Sequence, residues 1–171
     1  MTSGGTGVAT STGSGANVLG TSPTITGATI TVAATAAPAF SAYQSSAQTL
    51  GTSATKINFQ TKEYDTASAF DSVTNFRFTP QVAGYYTVNA AIQMSASFTT
   101  GNLSIYKNGS LFKTGFSTGT SGVTGIFTIA CQVSLNGSTD YIECYGTIGT
   151  GQALVANNAT TYFQAAMIRS A

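Results

Sequence analysis

The chain of 171 residues contains no histidine and no tryptophan, and only six basic and five acidic residues. Without histidine there is no imidazole acid or base, no Ser-His triad and no histidine metal site. The acids are Glu63, Asp65, Asp71, Asp140 and Glu143. Glycoside cleavage needs two carboxylates held across one bond, and calcium needs a cage of oxygens. Glu63, Asp65 and Asp71 are close enough in sequence to suggest either, but surface acids are common and Asp71 precedes a turn. The expectation is therefore no catalytic residue, no metal and no cofactor. Glycine-rich runs such as Gly4-Gly5-Thr6-Gly7 lack the Gly-Lys-Ser/Thr that makes a phosphate loop. A net charge of +1 supplies no basic stripe to displace counterions from phosphate, which argues against a nucleic-acid partner. No apolar run reaches membrane-spanning length, so membrane insertion is not expected. The N-terminus has neither the basic nor the apolar region of a secretory signal, and synthesis in a cytosol without export by that route is expected.

What is present is a 42% hydrophobic fraction diluted among Gly, Ser, Thr, Ala and Asn, with few helix-favouring charged residues. That composition predicts a β protein with a hydroxyl- and amide-rich surface. So little charge gives weak protection against association, and an oligomer is expected. Alternation with a period of two marks strands with one buried face. Tyr86, Val88, Ala90 and Ile92 share one face of a long strand over Gly84 to Ser97. Phe127, Ile129, Cys131, Val133 and Leu135 do so over Val123 to Leu135, and Phe163, Ala165 and Met167 over Thr161 to Arg169. Further strands are predicted at Pro38 to Tyr43, Thr55 to Phe59 and Asn102 to Tyr106. Asn108-Gly109 is a hairpin signal, because both central residues of such a turn take positive φ.

The stretch from Phe59 to Ala90 carries a more specific pattern. Phe59, Asp65, Phe70, Phe78, Gly84 and Tyr86 stand at the spacing of the motif of the C1q and tumour-necrosis-factor family of trimeric jelly rolls, which this chain resembles. The gap between Phe70 and Phe78 is one residue longer than in the family, and Val88 and Ala90 replace two of its aromatics. Lys107-Asn108-Gly109 matches a turn of the family; Val133, Leu135, Asp140 and Ile142 match a later strand pair with one inserted residue. The resemblance spans Ala39 to Arg169. It implies an antiparallel jelly-roll β-sandwich that assembles as a homotrimer. An exposed aromatic row on one sheet would supply the seam, with Tyr85, Tyr106, Tyr145 and Tyr162 as candidates.

Residues 1–37 read as a separate segment, rich in Gly, Thr, Ser and Ala, with strand-like Val18-Leu19 and Ile25 to Val32. The order GGTG…TSTG…VL…SPT over about the first 27 residues is similar to an element of bacteriophage tail-fibre and other virion-fibre proteins. A generic Gly/Thr linker is the alternative. Glycine does not recur at every third position and heptads are absent, which excludes collagen and coiled coil. The two resemblances together imply a phage virion fibre with a stalk or attachment segment (1–37) and a C1q-like head (38–171). Its partners would be itself, other virion proteins and a host-surface glycan or protein. Alternatives are a capsid head fibre or decoration protein, since 171 residues is short for a tail fibre, and a surface-polysaccharide depolymerase, which the missing histidine and the scarcity of acids disfavour.

Up-and-down strands place three long loops, Ser95 to Gly101, Gly115 to Gly122 and Gly146 to Thr160, at the end far from the stalk. Loops on a rigid scaffold are common recognition surfaces, and Phe98, Phe116, Gln152, Asn157 and Asn158 are their larger groups. The tight turns at Asn108-Gly109 and Asn136-Gly137 fall at the stalk end. If Asn136 to Thr139 closes a hairpin, Leu135 pairs with Asp140 and Cys131 lies opposite Cys144, both facing inward. Two buried thiols acting as small hydrophobes, or a cross-strand disulfide, follow from that pairing.

Overall fold

A computed structural model describes residues 37–118, 125–149 and 151–171, all within one unit, Ala34–Ala171. The strand-like segments at Val18-Leu19 and Ile25 to Val32 lie outside the described residues. Among the described residues thirteen strands follow in order: β1 (Ala39–Tyr43), β2 (Thr49–Leu50), β3 (Thr55–Lys56), β4 (Thr61–Asp65), β5 (Phe70–Asp71), β6 (Arg77–Phe78), β7 (Ala83–Gln93), β8 (Thr100–Lys107), β9 (Ser110–Thr118), β10 (Ile126–Asn136), β11 (Ile142–Ile148), β12 (Gln152–Ala153) and β13 (Tyr162–Ser170). One sheet has the order β10-β7-β13-β1-β4; the other runs β5-β6-β11-β8-β9, with β3 also paired to β11. The remaining pair, β12 and β2, forms a small third ribbon. All pairings are antiparallel. The architecture is the jelly-roll sandwich expected from the sequence.

Burial follows the period of two. Tyr86, Val88 and Ile92 are fully buried, as are Phe40, Ala42 and Phe163 on the neighbouring strands. From the facing sheet, Leu103, Ile105, Ile142, Cys144 and Ile148 close the core. Each position of the aromatic motif has a structural cause. Phe70 and Phe78 lie against Phe40 at centroid distances of 4.4 and 4.6 Å, and Phe59 and Phe163 are 5.6 Å apart. Asp65 accepts hydrogen bonds from the main-chain N–H groups of Ala69 and Phe70, both at 3.0 Å, which closes the turn into β5. The Tyr86 hydroxyl, buried with its ring, donates to Val82 O at 2.6 Å, so no polar atom is stranded. Gly84 lets β13 come close: an added Cβ would stand 2.5 Å from Arg169 O.

The hairpin predicted at Asn108-Gly109 joins β8 to β9, with φ of 52° and 76° at the two central residues. The hairpin predicted after Leu135 does not form. β10 pairs with β7, while β11 pairs with β8, so residues 137–141 cross from one sheet to the other. Leu135 therefore lies opposite Gly84, not Asp140, and Cys131 opposite Val88, not Cys144. The two cysteines face the core from opposing sheets as free thiols. Burial raises both thiol pKa values; the approach of Cys131 adds to the rise at Cys144, and Lys113 opposes it at Cys131.

Two further acids hold turns. Asp71 accepts from the N–H groups of Val73, Thr74 and Asn75 at 2.9 to 3.0 Å. Asp140 accepts from Asn108 Nδ2 at 2.7 Å and pairs with Lys107 at 2.9 Å. Main-chain donors hold Asp71 below the usual carboxylate range, and the Asn108 and Lys107 donors do the same for Asp140. A depressed folded-state pKa contributes stability above the unfolded value, about 3.9, that is lost as pH falls toward the folded one. Denaturant midpoints are thus expected to be flat from neutral pH to about pH 5 and to fall below about pH 4. Asp71→Ala should flatten that acid limb, as urea titrations across pH would show.

Candidate functional site: two sheet faces and a distal hollow

Chain direction fixes the two ends of the sandwich. Pro38, the Asn108-Gly109 and Asn136-Gly137 turns and the C-terminal Ala171 lie at one end, where Ala171 N donates to Ala83 O and Met167 N to Pro38 O. The β7–β8 and β11–β13 connections lie at the other, as expected. Residues 119–124 of the third distal loop fall outside the described residues.

The expected contact residues separate when placed in the fold. Phe98 is 5% exposed, with its ring 4.7 Å from that of Phe127. It belongs to the core and presents no ring to a ligand; its partner Phe127 is remote in the chain, so an aromatic in a polar loop reads locally as a surface group. Phe116 is part of β9, opposite Asn102, rather than in a loop. Gln152 is half-buried in β12 and donates to Ser97 O, tying two distal connections together. Asn157 and Asn158 are exposed, and Asn157 Oδ1 accepts from Ala159 N at 2.7 Å.

The four tyrosines expected to form one seam occupy both sheets. Tyr85 and Tyr162 stand on β7 and β13, on the outer face of the five-stranded sheet. Tyr106 and Tyr145 stand on β8 and β11 of the other sheet, stacked at 4.1 Å. The four therefore do not form a row on one sheet. Tyr43, which no sequence spacing singles out, is directly opposite Tyr162.

Rows across the outer face of the five-stranded sheet read Thr128–Ala91–Tyr162–Tyr43–Thr61, then Ala130–Asn89–Gln164–Ser41–Tyr64, then Gln132–Thr87–Ala166–Ala39. None of these residues is charged. Glu63, at the β4 edge, accepts from the Ser41 hydroxyl at 2.7 Å. The opposite sheet carries more of the charge. There Lys56 pairs with the buried Glu143 at 2.5 Å and lies 5.9 Å from the Tyr145 ring centroid. Arg77 lies over the Tyr141 ring at 4.4 Å. Burial and the neighbouring Glu143 raise the Tyr145 phenol pKa.

At the distal end of that second sheet is a hollow of about 120 Å³, lined by Thr52, Thr100, Gly101, Asn102, Thr147, Ile148 and Gly149. A larger one, about 350 Å³, lies at the base among Ala37, Val82, Met167, Ile168, Arg169 and Ser170. Among the described residues no group of three or more His, Cys, Asp or Glu side chains gathers to hold a metal.

These features define a C1q/TNF-like jelly-roll head. No family model matches the chain, and no curated protein matches it in sequence. Solved structures do match the fold. Eiger TNF from S. frugiperda superposes with a TM-score of 0.64 at 12% identity, over 79% of this chain and 93% of that one. The globular domain of zebrafish complement 1qA protein gives 0.60 at 16% identity, over 78% and 99%. Murine APRIL gives 0.62 at 9% identity, over 77% and 99%.

Proposed function

We propose that this chain is a bacteriophage virion fibre protein whose non-catalytic, homotrimeric C1q-like head contacts the host surface. The observation that carries the reading is the division of the head into a sheet face poor in charge, suited to self-association, and a distal end of long polar connections, opposite the point where the chain enters. The order of motifs over about the first 27 residues, similar to virion-fibre segments, supplies the phage assignment. In this reading residues 1–37 join the head to other virion proteins, and the protein resides in the virion.

Burying three rows of hydroxyl, amide, methyl and tyrosine groups against neighbouring copies desolvates little charge, the Glu63 carboxylate held by Ser41 being the one acid beside them. Asn89 lies centrally in those rows, between Ala130 and Gln164. Asn89→Arg would bury a guanidinium without a partner in each copy, a cost of several kcal/mol. The trimer is expected to give way to monomer in light scattering after size exclusion, with the far-ultraviolet circular dichroism unchanged. The fibre reading is tested by immunogold electron microscopy of intact particles with antibody to residues 38–171. Label at tail or fibre tips is expected; label spread over the capsid would make this a decoration protein or head fibre, and no label would overturn the virion assignment.

A further inference from the structure

We propose that the distal hollow of the second sheet is a binding subsite for a neutral saccharide. This deepens the recognition reading and rests on it. The side chains available are the hydroxyls of Thr52, Thr100 and Thr147 and the amide of Asn102. Every one of them is uncharged, and three are held by regular structure. Thr147 is directly opposite Asn102 in the β8–β11 pairing, and Thr100 begins β8. The rim is fixed by Gly149 N donating to Thr100 O at 2.9 Å and Ile148 N to Gly51 O at 2.8 Å. The groups are thus positioned before any ligand arrives, which reduces the ordering cost of binding.

The lining selects the ligand class by exclusion. An anionic group would leave water for a site with no cation, and a cationic one for a site with no carboxylate. An apolar group would cover hydroxyls and an amide without pairing them. Threonine hydroxyls both donate and accept, and asparagine offers a carbonyl acceptor and two N–H donors. Sugar hydroxyls have the same dual capacity and replace water bond for bond.

The outer face continues toward the base in the same register. Below Asn102 and Thr147, the next outward residues are Ser104, bonded to Thr114 Oγ1 at 2.8 Å, and Tyr145. Successive outward residues on a strand are about 7 Å apart, so a second sugar unit would lie beside the half-buried Tyr106–Tyr145 pair. The ligand is therefore an oligosaccharide running along β8 and β11. This face is on the opposite side of the sandwich from the face to which self-association is assigned.

The test uses the full chain and saturation-transfer NMR with neutral di- to tetrasaccharides of glucose, galactose and N-acetylglucosamine, alongside sialylated and sulfated counterparts. Asn102→Leu and Thr147→Val remove the polar atoms with little change of shape, and thermal melts check that each variant folds. Binding of a neutral oligosaccharide, weakened about tenfold or more in either variant and retained in Ser138→Ala, an exposed residue of the turn at the opposite end, is the expected result. Unchanged binding in both folded variants would place the sugar elsewhere and overturn the hollow as a subsite. Preference for the acidic sugars would overturn the ligand class. Absence of any saccharide binding would also overturn the proposal, while competition by the purified chain for particle adsorption to host cells separately decides whether the head recognises the host.

Discussion

Phe40→Ala is expected to destabilise the head by about 3–5 kcal/mol, the range for deleting a fully buried phenylalanine. Phe40 is inaccessible to solvent and touches three other rings: it stacks with Phe70 and Phe78 and meets Phe163 edge-on at 5.0 Å. Its strand, β1, is bonded on both sides, to β13 and β4. Phe70 and Phe78 come from the short strands β5 and β6 of the opposing sheet. Those two-residue strands have few ladder hydrogen bonds of their own, so the ring cluster is what pins that edge of the sandwich. Removing Phe40 opens a cavity that neighbours tied into both sheets can only partly fill. Urea denaturation at one fixed protomer concentration measures the loss, because an oligomer's stability depends on concentration. Val73→Ala, on the 81% exposed Val73, serves as the control and should change stability by less than about 0.5 kcal/mol. Equal effects of the two variants would mean that the core is not organised around Phe40.

Gly137→Ala and Gly109→Ala separate two costs that a glycine avoids. Both residues have positive φ, 70° and 76°, where an L side chain costs about 1–2 kcal/mol. At Gly109 an added Cβ meets nothing nearer than the Tyr141 hydroxyl at 3.5 Å. At Gly137 it would fall onto main chain, next to Ala83 N, 2.5 Å from Val82 C and 2.9 Å from Ala83 Cα. Backbone cannot turn aside as a side chain can, so the start of β7 has to move. Gly109→Ala is expected to cost only the conformational term. Gly137→Ala should cost that plus about 1–3 kcal/mol for the forced displacement. Paired denaturation curves give the difference directly; equal losses would show that β7 does not pass under the turn this closely.

Much of this fold was legible because its signals are local. The alternation in Tyr86 to Ile92 and Phe127 to Leu135 states which side of each strand is buried, whatever the strand is bonded to. Asn108-Gly109 specifies its own turn. Phe59, Asp65, Phe70, Phe78, Gly84 and Tyr86 carry the family likeness, and the fold explains that spacing as one ring cluster, one turn cap and one close backbone approach. The absence of histidine and the scarcity of charge are properties of the chain itself, and they limit its chemistry whatever shape it adopts.

Pairing is different. A period of two distinguishes inside from outside but does not name the neighbour, so Cys131 and Cys144, on consecutive long strands, face the core from separate sheets and not across one strand pair. The same blindness joined Tyr106 and Tyr145 to Tyr85 and Tyr162, and left Tyr43 out. Phe98 looked like a surface group because its partner, Phe127, arrives from a strand distant in sequence. The distal hollow is likewise built from three separate segments, around Thr52, the start of β8 and the end of β11, whose threonines and asparagine do not stand out in so Thr- and Asn-rich a chain. Residue type and spacing determined the strands, their buried faces and the chemistry that is absent. Which strands share a sheet, and so which side chains share a surface, was decided by contacts between residues far apart in the chain, for which the sequence has no local code.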